Sequence, residues 1–225
     1  MEERGRIKMG GRGSSSSSGG GRFGRGGGVK PSDIENLYSL ISARNSGYRK
    51  EADQVLQVGR DIYNQYGVAP NYDVAELKNG GIGTLAYMDA GGNLAVNRTY
   101  FNDKAMNKTY DQSVKDGFHP SRGNKTGLEA VASHEMGHFL TSKVATKLGM
   151  SSADFEKASG KILDQAKKKA GYKKAYDMAS KISGYATHSK SEAVAEAFAD
   201  VYCNGGKAKK ESHAIVDVLN SYFKK

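Results

Sequence analysis

Apolar residues recur at helical spacing through most of the chain, and the breaks fall where glycine and small polar residues gather. The longest periodic run is Leu128, Val131, Ala132, Met136, Phe139, Leu140 and Val144. Thr126-Gly127-Leu128-Glu129 before it reads as a capping box, and Gly149 after it suits the C′ position of a helix. A helix over about 127–148 with one inward apolar stripe is predicted. Further helices are predicted from Ser32-Asp33 to about Ala43, over 48–66, from Ser151/Ser152 to near Gly171, over 173–182, from Ser191 to about Asn204, and over 211–223. The last should face inward through Ile215, Val216, Leu219, Tyr222 and Phe223. Residues 83–89 and 93–101 have strand-like composition, and Ala90-Gly91-Gly92 between them reads as a hairpin turn. Residues 71–78 are read as a lead into this hairpin, with Gly80, Gly81 and Gly83 as breakers. The expected fold is α+β, a small and mainly antiparallel sheet beside a helical bundle.

Chemistry enters with Ser133-His134-Glu135-Met136-Gly137-His138, an H-E-x-x-H run inside the longest predicted helix. Histidines four residues apart share one helical face and can reach one metal ion. The intervening Glu135 is placed to take a proton from a metal-activated water. A hydrolytic zinc site needs a third protein ligand. No third histidine follows His138 at the spacing that would extend the motif, so the ligand comes from elsewhere. Ser191–Asp200 is an alanine-rich helical run with Glu192, Glu196 and Asp200 stacked at four-residue spacing. Three acids in a helix suited to close packing are costly unless paired or bound to metal. Glu192 is taken as the third ligand and Glu196 as the acceptor of a hydrogen bond from a zinc histidine, with Glu196 as the rival ligand. Asp200 either supports the same site or caps nearby backbone. His119, in Phe118-His119-Pro120, is read as a loop or cleft-rim residue.

The motif pair, with Ser183-Gly184-Tyr185-Ala186-Thr187 before Glu192-x-x-x-Glu196-Ala197-Phe198-Ala199-Asp200, resembles the gluzincin type of zinc metallopeptidase. It is similar in particular to the catalytic domain of anthrax lethal factor and to related domains in phage and toxin-associated proteins. The resemblance spans about 83–202 and is strongest at the two motif helices. It implies a zincin-like fold with zinc between two helices, Zn²⁺ held by His134, His138 and Glu192, and Glu135 as general base. It further implies that Tyr185, seven residues before Glu192, stabilises the oxyanion of the tetrahedral intermediate. The implied substrate is a protein or peptide, and the implied setting is a phage virion or delivery into a host cell. Substrate binding by strand addition is expected at the strand over 93–100 or its partner.

Composition adds a tail and a charge. Residues 1–30 form a Gly/Ser/Arg-rich stretch with too little apolar surface to fold, leaving 31–225 as the expected metallopeptidase domain. The tail has no apolar segment of signal-peptide type, and no run in the chain suits a membrane span, so synthesis in the cytoplasm is expected. A single cysteine, Cys203, excludes an internal disulfide. The formal net charge of +10 favours anionic partners, and the Arg-Gly tail resembles nucleic-acid-binding segments. This supports an alternative, a nucleic-acid- or partner-binding protein whose metal site is structural.

Overall fold

A computed structural model describes residues 48–68, 70–75, 84–88, 91–97 and 100–224. The tail and the helix expected from Ser32 to Ala43 lie outside the described residues. In chain order the elements are α1 (Arg49–Tyr66), β1 (Asn71–Ala75), β2 (Ala86–Met88), β3 (Asn93–Asn97), α2 (Asp103–Lys115), α3 (Gly127–Lys147), α4 (Phe155–Lys169), α5 (Ala175–Ala179), α6 (Lys190–Asn204) and α7 (Lys210–Ser221). The fold is α+β and mainly helical.

Helix α3 carries H-E-x-x-H and runs through the middle of the core. Its start is the expected capping box: Thr126 Oγ1 accepts from the Glu129 amide at 3.2 Å, and Glu129 Oε2 accepts from the Thr126 amide at 2.8 Å. It stops where Gly149 takes a φ of 73°, a left-handed conformation that glycine adopts without a Cβ penalty. The expected single stripe is replaced by burial on nearly every side, because α1, α2, α4, α6 and β2 all pack against this helix. Its small polar residues are accommodated by bonding back to the preceding turn. Ser133, Thr141 and Ser142 hydroxyls donate to the carbonyls of Ala130, Gly137 and Phe139 at 2.8, 2.8 and 2.7 Å.

The sheet has three strands in the order β1-β3-β2. The predicted hairpin forms, with Met88 opposite Leu94 in an antiparallel register. The segment read as a lead-in contributes β1, which pairs with β3 in parallel, so the sheet is mixed rather than mainly antiparallel. This has a consequence for the expected substrate edge: β3 (Asn93–Asn97) is the central strand and cannot serve, whereas its partner β2 pairs on one side only among the described residues. Ala86 and Met88 of β2 are buried toward α3, and Tyr87 is exposed.

Helix α2 was not expected. Asn102 caps it, accepting from the Ala105 amide at 2.8 Å, and Met106, Tyr110 and Ser113 are its buried positions. Around α3, helix α6 packs closest, α7 closes over α6 and α4, and no described helix is long and apolar enough to cross a membrane.

Candidate metal centre

The two motif helices meet at Gly137, inside the H-E-x-x-H run. A Cβ built there would stand 2.6 Å from the Ala195 Cα of α6, so only glycine lets the backbones approach this closely. Helix α6 is fixed at its start by three acceptors. Ser189 Oγ takes the Glu192 amide at 3.1 Å, and the Glu156 carboxylate of α4 takes the Lys190 and Ser191 amides at 3.0 and 2.9 Å. Glu192 lies in this first turn and is thereby aimed at α3.

His134, His138 and Glu192 come together as a buried group, with one ligand atom of each within 4.8 Å of the other two. Glu192 Oε2 lies 3.1 Å from His134 Nε2 and 3.3 Å from His138 Nε2. The short contact between His134 Nε2 and Glu192 Oε2 lacks hydrogen-bond geometry, and both atoms are buried without a hydrogen-bond partner. Buried polar atoms are rarely left so. Two imidazole nitrogens and a carboxylate oxygen converging on one point form a donor set that can hold a metal ion.

Glu196, one turn beyond Glu192, is on the far side of His134. Its Oε1 accepts from His134 Nδ1 at 2.8 Å, leaving Nε2 free to ligate. Glu192 thus belongs to the group that could hold a metal ion, and Glu196 bonds the other nitrogen of the His134 ring. The same Oε1 also accepts from His119 Nδ1 at 3.0 Å, and Oε2 accepts from Ser183 Oγ at 2.6 Å. His119 is therefore not a rim residue: its side chain is wholly buried beneath the centre. Asp200 does not support the site. It accepts from the Lys209 amide at 2.9 Å, from Ser212 Oγ at 2.6 Å and from Asn204 Nδ2 at 2.8 Å, capping α7. Stepping four residues along α6 carries it past His134 and His138 toward the start of the next helix.

Glu135 is fully buried, and neither of its oxygens meets hydrogen-bond geometry. Burial pushes its carboxyl up to about 7, against the pull of His134 and His138; the Met88 backbone adds a small pull in the same direction as the histidines. Burial also works against charge on Glu192, but His138 and His134 outweigh it and hold that carboxyl well below the usual range. Glu196 shows the same balance with His119 and His134, which bring it to about 2. On His134 burial opposes the charged form, yet Glu192 and Glu196 raise its pKa well above the usual imidazole value. Tyr185 sits in a short 3-10 turn, Tyr185–Thr187, with its ring stacked on that of His134 at 5.9 Å and 29°. Burial raises the phenol pKa, and the negative charges of Glu192, Glu135 and Glu196 raise it further, with a hydrogen bond to Glu192. The phenol is thus kept protonated.

His188 is exposed beside this group, edge-on to Phe118 at 5.5 Å, and His213 lies on α7 outside it. Sequence reasoning gave no role to Ser183, and it placed His119 in a loop, where it lies, without its burial. Both reach Glu196 only through the fold, and Pro120 next to His119 offered no local sign of burial. Comparison of the chain with protein-family models, with curated proteins and with solved structures found no match.

Proposed function

We propose that this protein is a zinc-dependent endopeptidase, with His134, His138 and Glu192 as zinc ligands and Glu135 as general base. The observation that carries the reading is the convergence of His134 Nε2, His138 Nε2 and Glu192 Oε2, with the buried Glu135 on the same helix turn. The two-imidazole, one-carboxylate set suits zinc among the common divalent ions. A zinc ion held there supplies Lewis acidity, acidifying water and polarising a carbonyl oxygen. Glu135 takes the proton of the attacking water and passes it to the leaving amine nitrogen as the C–N bond breaks. Burial favours its protonated form, and the positive charge of a bound ion would favour the carboxylate form that accepts first. Tyr185, held protonated, is the donor to the developing oxyanion.

The substrate is an extended protein or peptide segment lying along β2. The Asn97 amide donates to the Leu85 carbonyl at 2.7 Å. Leu85 and Tyr87 therefore turn their backbone groups toward β3, and those of Ala86 and Met88 turn to the other side, where the Met88 backbone meets Glu135 and an added strand would pair. A strand bound there runs past the general base. The lethal-factor-like spacing of Tyr185, Glu192 and Glu196 fits this reading.

A second reading, binding of an anionic partner, is favoured by exposed Lys161, Lys168, Lys169, Lys173 and Lys174 along α4 and the turn after it. One experiment separates the two. Zinc content is measured, and cleavage of a peptide library is followed by mass spectrometry for the wild type and Glu135→Gln. The expected result is one zinc per chain in both proteins and cleavage by the wild type alone. Zinc-loaded wild type that cleaves nothing would favour the binding protein.

A further inference from the structure

We propose that His119 is a positioning residue of the metal centre, acting through Glu196 on the ring of His134; this rests on the reading of His134, His138 and Glu192 as metal ligands. A single oxygen, Glu196 Oε1, receives two imidazole N–H groups, from His134 at 2.8 Å and from His119 at 3.0 Å. The second oxygen receives Ser183 at 2.6 Å. The side chains of His119, His134 and Glu196 are all fully buried. A buried carboxylate is held in one orientation by the donors that reach it, here His134, His119 and Ser183. With His119 removed, Glu196 keeps one fewer donor. It is then free to turn, and His134 loses the acceptor that fixes its ring and leaves Nε2 available to a metal.

The ring of His119 is itself pinned. It stacks on Tyr110 at 5.6 Å and 14°, with Phe118 and Tyr185 edge-on at 5.0 and 5.2 Å. Its backbone neighbours are tied to the turn that carries Tyr185. The Gly184 amide donates to the Gly117 carbonyl at 2.9 Å, and the Tyr185 amide to the Phe118 carbonyl at 3.0 Å. Two pieces of the site, the imidazole ligand and the phenol, are thus referred to one loop between α2 and α3. A histidine that only filled space would need neither the shared oxygen nor an oriented Nδ1.

The test uses the full-length chain with His119→Asn and His119→Gln. Asparagine presents its amide nitrogen near the position of Nδ1, and glutamine near that of Nε2, so only the former can replace the donor to Glu196. Zinc affinity is measured by competition with a chromophoric chelator, and the ligand field by the visible spectrum of the cobalt-substituted protein. Loss of an orienting partner typically weakens metal binding 10–100-fold, so His119→Gln is expected to lose about tenfold or more while His119→Asn stays within about threefold. The cobalt spectrum should follow the wild type in His119→Asn and depart from it in His119→Gln. Equal affinities in all three proteins, or the same loss in both variants, overturn the proposal. A wild type that binds no zinc removes the ligand reading and this proposal with it. A wild type that binds zinc but cleaves no peptide removes the peptidase reading alone, and the contrast between the two variants still decides.

Discussion

Tyr185 meets two demands that ordinarily conflict, a buried position and a polar role. Its ring lies against His134 and within 5.0 Å of Phe118, while its hydroxyl faces the carboxylate of Glu192. Phenylalanine keeps the ring contacts and deletes only the donor. Tyr185→Phe should therefore retain zinc stoichiometry and KM but lower kcat by about 10²–10³, the usual cost of removing one oxyanion donor. Steady-state kinetics on a cleavable peptide measure this, and a loss under tenfold would remove Tyr185 from the chemistry. Glu135 differs in kind. Apart from a backbone pull from Met88, its orientation comes from helix α3 and its protonation from burial and charge.

At the scale of elements, the site depends on how near α6 can come to α3. Gly137 sets that distance, since its missing Cβ would meet Ala195 Cα at 2.6 Å and Phe198 Cβ at 3.2 Å. Gly137→Ala gains about 1 kcal/mol of helix propensity. It must also push two backbones apart, an overpacking cost of about 1–3 kcal/mol. The expected outcome is a lower melting temperature together with weaker zinc binding, because Glu192 retreats with α6; circular dichroism and chelator competition read the two effects. A variant as stable and as metal-avid as the wild type would show that the helices reseat freely. These two helices were also the most legible in the sequence. The Thr126 box, Gly149 and the acid spacing of α6 are local signals with local causes, and the helices they predict bring His134, His138 and Glu192 into one group that could hold a metal ion, with Glu196 against His134. Helix α2 escaped because its buried side is only Met106, Tyr110 and Ser113 on an otherwise polar segment, although Asn102-Asp103 is an N-cap signal. Strand β1 and the burial of His119 depend on partners distant in the chain, which no local pattern encodes. Asp200 shows the converse: its four-residue spacing put it on the acidic face, but its carboxylate is taken by the start of helix α7.

Across the whole molecule, buried and half-buried phenols tie the outer helices to the core. Tyr66 of α1 donates to Asn220 of α7 at 2.7 Å, Tyr202 of α6 donates to Asp61 of α1 at 2.7 Å, and Tyr110 of α2 donates to the Pro120 carbonyl at 3.2 Å. Burial is the main cause that raises the pKa of each, and of Tyr185, above the ordinary phenol value. The linkage has one sign for all four. Below pH about 10 both folded and unfolded chains keep these protons, and stability does not depend on them. Above it the unfolded chain ionises first, so stability falls as pH rises toward the folded values. The chain has 13 tyrosines. An alkaline titration should show a late rise in phenolate absorbance that belongs to Tyr66, Tyr110, Tyr185 and Tyr202 and coincides with loss of helical circular dichroism. Full ionisation of every phenol while the helical signal stays intact would mean that these hydroxyls reach solvent in the native state. The same access would undo the dry setting that keeps Tyr185 protonated and Glu135 near neutrality.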